Sequence, residues 1–319
     1  MGAIKDKGRK LRQIERVPYE DAFLIEDLLT TRTTILAGEP KAGKTLLSAG
    51  MGIALLNGEP TFLGQPVHRR LDHIVFGLTD DGAPEELKER LHGAVPDDAV
   101  TIFPVADPGD PDYWPGICSD LMDIRPGLFV LDNVIGSLAP GEDISSPVTA
   151  QRIMRNLRPI SDAGIPILLV THTPKGTGEG MSVASSPIGG RAIGAGARGL
   201  IALRNSGKRG RRIQTAINRA AEDLDIHVTV RRAGEASEVP VWERAEPGLR
   251  VLSLPKTKSW DEALITRIIE EQPEETTHAG LAKRYAPSIG KKYETIRQKL
   301  RGLAEHVDGR WVRTTPSAA

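Results

Sequence analysis

The stretch "ILAGEPKAGKTLLSAG", residues 35–50, contains the pattern GxxxxGK[ST] as Gly38, Gly43, Lys44 and Thr45. A polyphosphate needs many donors in a concave space, and glycines let the backbone approach closely enough for its N–H groups to point inward. Lys44 adds a point charge for the outer phosphates, and Thr45 a hydroxyl for Mg²⁺. Just before the loop, "TTILA" (33–37) is a short β-prone run; just after it, "TLLSAGMGIALLNG" (45–58) has the apolar spacing of a buried helix. Strand, loop and helix in that order predict a phosphate cradle made of Gly38, Glu39, Pro40, Lys41, Ala42, Gly43, Lys44, Thr45 and Leu46. The plainer reading of the same letters is a glycine turn ahead of a helix.

Working outward, "HIVFGLT" (73–79) ends at Asp80 and Asp81, before the amphipathic "APEELKERLHGA" (83–94). "GLFVLDN" (127–133) and "IPILLVTHT" (165–173) are two more apolar runs, with the helical "PVTAQRIMRNLRPISDAG" (147–164) between them. Nearly continuous apolar strands alternating with helices predict an α/β fold with a mostly parallel central sheet covered on both faces. Asp132 follows four apolar residues, where a carboxylate is needed to hold the metal through its water shell; a residue capping the next turn is the alternative. Asp80, with Asp81 beside it, is the candidate to position an attacking water, although "TDDGAP" also reads as a helix-capping turn. His172 falls at the carboxyl edge of the sheet, where ligands bind in open α/β folds, or is a satisfied structural histidine.

At 319 residues and 39% hydrophobic, the chain has room for a large domain and a small one. Lys plus Arg total 42 and Asp plus Glu total 42, so any nucleic-acid surface must come from local clustering. The lone Cys118 excludes an internal disulfide or a multi-thiolate metal site, fits a reducing compartment and is expected to be a small buried hydrophobe. The charged first twenty residues lack the apolar core of a secretory signal, and the longest apolar runs are too short to cross a bilayer. A cytoplasmic protein with no membrane partner is expected.

Beyond a glycine-rich stretch at 176–199, read as a mobile loop, "LIALRN", "IQTAIN" and "DIHVTVRRA" look like strands, the first two flanking the basic turn "SGKRGRR". From Trp260 three helical segments are followed by "VDGRWVRTT", the layout of a winged helix-turn-helix. The expected domains are a flexible lead (1–18), an ATPase-like core (19–232), a linker or irregular edge (233–258) and the winged-helix-like unit (259–315). Two clusters are candidate DNA contacts. One is Lys208, Arg209, Arg211 and Arg212 in the turn, where glycines let a basic loop conform to phosphates; an exposed basic hairpin is its bland reading. The other is Lys292, Arg297, Lys299 and Arg301, the face left free when Tyr293, Ile296, Leu300 and Leu303 form a core stripe. Between Lys283 and Arg313 nine basic residues face three acidic ones, so a neutral chain carries a local positive patch.

Together these motifs resemble the RecA-like ATPases of the RepA and DnaB-like helicase branch, often grouped as AAA-domain ATPases. "FLIEDLLTTRTTILAGEPKAGKTLL", "PTFLGQPVHRRLDHIVFGLTDD", "LFVLDNVIGSL" and "GIPILLVTHTPKG" carry the likeness in the family's order, across roughly residues 20 to 220. Two positions depart from it. The family usually has Glu at Asp80, and the shorter side chain leaves the carboxylate a methylene short of its water. In "IQTAINRA" the family's Lys-x-Arg pair reaches a neighbouring subunit's nucleotide; Arg219 matches the arginine, while Ile217 stands at the lysine. The resemblance implies ATP and Mg²⁺ as cofactors, with Lys44, Asp80, Asp132, His172 and Arg219 as catalytic residues and Thr45 with Asp132 at the metal. It also implies a homo-oligomer, a hexameric ring among its forms, and single-stranded or duplex DNA as partner. A replicative helicase motor is the first functional expectation. An ATP-gated DNA-binding regulator with slow turnover is the alternative, favoured by Asp80 and Ile217; a small-molecule kinase leaves "THTPKG" and the basic C-terminal unit without a part.

Overall fold

The short strands β1 (Phe23–Ile25) and β2 (Leu29–Thr30) lead into β3 (Thr33–Gly38), which is buried at every position and therefore must lie inside a sheet covered on both faces. A computed structural model describes residues 8–173, 182–185, 187, 193–206, 210–234, 237–245, 260–289, 293–301, 303–307 and 309–313. Helix α1 (Lys44–Asn57) follows β3 directly and stops at Gly58, whose φ of +65° closes the last turn through N–H bonds to Ala54 and Leu55. After the hairpin β4 (Thr61–Phe62) and β5 (Gln65–Pro66) come β6 (Ile74–Leu78), α2 (Ala83–Leu91), β7 (Val100–Pro104), α3 (Tyr113–Ile124) and β8 (Leu128–Asp132). Then α4 (Pro147–Asp162), β9 (Ile167–His172) and four strands, β10 (Gly199–Ser206), β11 (Gly210–Ile217), β12 (Asp225–Arg232) and β13 (Pro240–Arg244), complete the first unit.

The nine strands order as β13-β12-β11-β10-β3-β9-β8-β6-β7, parallel from β10 to β7 and antiparallel from β10 to β13. This is the expected α/β architecture with a large, mostly parallel sheet. Alternation along the strands sorts the core into two layers. Leu36, Phe76, Val130 and Leu168 pack with Leu47 and Met51 of α1, whereas Ile35, Val75, Phe129 and Leu169 pack with Ile153 and Leu157 of α4. Cys118 lies in the second layer, its thiol pushed up by burial and donating to the Asn156 carbonyl at 3.4 Å.

β7, α3 and β13 go beyond the sequence reading. β7 and α3 lie in "VTIFPVADPGDPDYW", where prolines and aspartates mask a half-buried outer strand and a helix starting just past them. The segment read as linker or irregular edge contains β13, whose Trp242 donates its indole N–H to the Leu46 carbonyl at 3.0 Å and stacks on α1. A Cβ on Gly50 would sit 2.6 Å from that indole, so the helix needs glycine there. Half of the glycine-rich stretch at 176–199 lies outside the described residues.

The second unit holds α5 (Trp260–Glu271), α6 (His278–Ile289), α7 (Tyr293–Arg301) and the hairpin β14 (Ala304–Val307) and β15 (Arg310–Arg313). Its core joins Leu264, Ile268, Leu281, Tyr285 and Trp311 to Ile296 and Leu300, with Tyr293 and Leu303 packed against them. Among the described residues no helix is long and apolar enough to cross a membrane.

Trp242→Ala removes both the packing on α1 and the bond to Leu46. It is expected to cost the first unit about 3–5 kcal/mol in urea unfolding, and Trp242→Phe to recover only the packing share.

Candidate active site

Gly38 ends β3 between two neighbours, level with Leu203 on β10 and His172 on β9. A Cβ there would lie 2.7 Å from the Leu203 carbonyl oxygen, so a side chain at this position would push the loop off the sheet. Lys41 (φ +63°) and Gly43 (φ +97°) reverse the chain into α1, which begins at Lys44. The Lys44 side chain folds back over the loop: Nζ donates to the Gly38 and Glu39 carbonyls at 3.1 Å each and lies 3.2 Å from His172 Nδ1. Burial lowers the ammonium's pKa, while the Asp132 and Asp80 charges oppose the shift. His172 is held below its ordinary range first by burial and then by the Lys44 charge, leaving a neutral ring whose Nδ1 lone pair faces the ammonium.

β8 lies next to β9 and brings Asp132 to the same edge, where its Oδ2 accepts the Thr45 hydroxyl at 2.7 Å. Burial pushes the Asp132 carboxyl up, against the pull of that hydrogen bond and of Lys44. β6 follows, with Leu78 level with Asp132, so Asp80 emerges beside the cluster. The Asp132–Asn133 peptide is cis. Asn133 Oδ1 accepts the N–H groups of Ile135 and Gly136 at 2.9 and 3.2 Å, which leaves its Nδ2 to donate to Asp80 Oδ1 at 3.1 Å. Thr79 completes the arrangement: its hydroxyl accepts Asn133 N–H at 3.0 Å and donates to Asp80 Oδ1 at 3.3 Å.

The sequence does not single out Asn133 or Thr79; "LDN" and "LTD" at strand ends are the available signals. Arg211, nominated for DNA, turns onto the loop, and its Nε donates to the Ala42 carbonyl at 2.7 Å. Glu39, Pro40 and Lys41 are exposed and Ala42 is buried.

These residues fit a nucleotide and a divalent cation. Lys44 is a buried cation touching two carbonyls and a neutral ring, with no anion among the described residues in hydrogen-bond contact, a charge that an arriving polyphosphate would complement. Thr45 and Asp132 present the oxygen ligands a hard cation takes.

The other nominated residues lie elsewhere. Ile217, buried, is level with Gly199, which is level with Thr34, four residues before Gly38. Arg219 therefore sits at the opposite edge of the sheet, more than about 13 Å along the strands from its own loop, where its Nη2 donates to the Val17 carbonyl at 2.9 Å. Arg212 pairs with Asp225 through two bonds of 2.6 and 2.5 Å. Arg297 stands 3.9 Å from Glu294 in the second unit, where Lys299 and Arg301 are exposed. Lys208, Arg209 and Lys292 lie outside the described residues.

A family model described as an AAA domain matches residues 10–178, just over half of the chain. No curated protein matches. Among solved structures, the chain is similar to a RadB recombinase at 17% identity and a TM-score of 0.47, over 68% of this chain and 92% of that one. It is also similar to the ATPase domain of G40P at 12% identity and a TM-score of 0.48, over 62% and 81% respectively.

His172 is expected to titrate below 6.5 in a pH series of imidazole NMR spectra. Its folded pKa is depressed, so the unfolded chain binds more protons between the two values; the stability from the neutral ring is present above 6.5 and lost as pH falls through that window. Lys44→Ala should move the midpoint part of the way back, since burial is the larger cause.

Proposed function

The chain belongs to the AAA-domain family, and from that premise we propose that it is an ATP-hydrolysing, RecA-like motor acting on DNA, with a replicative helicase as the specific form. The observation that carries the reading is the meeting of Lys44, Thr45, Asp132 and His172 at one sheet edge, from two strands and a helix up to 128 residues apart. In this reading Lys44 holds the outer phosphates, and Thr45 and Asp132 hold Mg²⁺, which when bound neutralises developing phosphate charge. Asp80, steadied by Asn133 and Thr79, orients the attacking water. His172, neutral beside Lys44, senses the terminal phosphate.

Arg219 cannot serve the loop of its own chain, because the sheet separates them. It would instead stabilise phosphoryl transfer in a neighbouring copy, which makes a homo-oligomer, a hexameric ring among the options, part of the proposal. The basic turn and the C-terminal unit, read as a winged helix, supply DNA contacts through Lys208, Arg209, Lys292, Arg297, Lys299 and Arg301. Arg211 and Arg212 are already engaged with Ala42 and Asp225, and serve DNA only by exchanging those partners.

One observation favours the slower, regulatory reading: the short Asp80 carboxylate is already bonded to Asn133 and Thr79. Asp80→Glu decides between the two. If reach limits turnover, the variant should raise phosphate release several-fold; a rate that stays flat or falls would favour a switch whose Asp80 has another task.

DNA should stimulate phosphate release by the purified chain, and Lys44→Ala should abolish it. Hydrolysis that stays at the Lys44→Ala level with both single-stranded and duplex DNA would overturn the motor. Arg219→Ala is expected to bind nucleotide but not turn it over, and mixing it with Lys44→Ala should restore part of the activity, because each copy supplies the half-site the other lacks.

A further inference from the structure

Along the sheet edge opposite the phosphate loop, two adjoining grooves of about 860 and 520 Å³ share Arg32 and Arg198. Arg198 N–H donates to the Thr33 carbonyl at 2.8 Å, which sets these arginines side by side at the starts of two neighbouring parallel strands. Arg155 and Arg158, one turn apart on α4, line the larger groove above them. The chain at 195–198 closes tightly on that helix, since a Cβ on Gly196 would meet Met154 at 2.8 Å.

Four arginines face Asp162 in the larger groove, and the smaller one adds Arg16, Arg69 and Arg219 against Glu15 and Asp21. Some of that charge is answered locally: Arg158 lies 3.5 Å from Asp162, Arg69 lies 3.4 Å from Asp21, and Arg32 donates to the Ser161 carbonyl at 3.0 Å. The guanidinium groups of Arg155 and Arg198 are exposed and have no partner among the described residues. In a chain with equal acidic and basic totals this excess is local, and apart from Arg219, assigned above to a neighbouring copy, neither the phosphate loop nor the basic turn uses it.

The size and lining of the grooves select the ligand. A single phosphate would leave most of an 860 Å³ groove empty, and its continuation into a second groove fits a linear polyanion. Among its described lining residues the larger groove has no aromatic side chain on which a base could stack, so contact would be made to the backbone and not to bases. We infer that this edge is a second nucleic-acid contact, a track for the phosphodiester backbone in which Arg155 and Arg198 bind phosphates and Arg32 and Arg158 flank them. The inference rests on the proposed action on DNA and lies apart from the contacts named for it above.

The test is the salt dependence of the full chain's affinity for a labelled oligothymidylate, read by fluorescence anisotropy. Each phosphate contact to a single strand contributes about 0.7 to the slope of log K against log salt, so Arg155→Ala with Arg198→Ala should flatten it by about 1.4. Arg155→Lys with Arg198→Lys should keep the slope, and an unchanged thermal midpoint for each double variant guards against misfolding. Wild-type protein that binds while the alanine variant keeps its slope overturns this track alone, including the case in which the variant instead changes the oligomeric state. Wild-type protein that fails to bind overturns the DNA reading and the track with it.

Discussion

Lys44 is only 8% exposed, and its ammonium contacts two backbone carbonyls and an imidazole nitrogen. Holding a charge out of water is costly unless hydrogen bonds or an opposite charge surround it. That need dictates the neighbourhood. The carbonyls come from the first residues of the loop, which requires Gly38 to approach β10 without a Cβ. The imidazole comes from β9, which must lie directly beside β3, and the nearest carboxylate from β8, one strand further on. Strand order and site chemistry are thus two views of one constraint.

The remainder of the first unit braces this cluster. Its antiparallel end curls over α1, where Trp242 caps the helix's second turn and Arg211 ties the hairpin to Ala42. A displacement of the β10–β11 hairpin would therefore be felt by the phosphate loop through the Arg211–Ala42 bond. The same strands carry Arg219 to the far edge, so that one hairpin touches the loop at one end and presents an arginine at the other.

The sequence was most legible where a local pattern and its chemistry coincide. GxxxxGKT, apolar runs ending in Asp132 and His172, and the 3.6-residue stripe of α7 all declare themselves within a short window. Where packing decides, it was not. β7 is half-buried and flanked by prolines, so neither alternation nor a continuous apolar run marks it. β13 has no strand signal beyond Val241 and Trp242; it exists because Trp242 has a helix to cover. Arg211 reads as one more cation in a basic turn, and only the curl of the hairpin aims it at Ala42. Asn133 has no meaning in sequence until the Ile135 and Gly136 amides occupy its oxygen and turn its nitrogen toward Asp80.

Sequence alone determined that a phosphate loop is present, that its sheet is mostly parallel and buried on both faces, and that a separate helical unit follows. These are properties of short-range periodicity and of residue types whose chemistry does not depend on distant partners. The tertiary structure decided which of the candidates meet. Thr45 and Asp132 stand 87 residues apart and Lys44 and His172 stand 128 apart, so their pairing follows from strand order, which no local window encodes. It also decided that Arg219 lies on the other side of the sheet from its own loop, because antiparallel β11 runs away from the edge toward which β3 and β10 run.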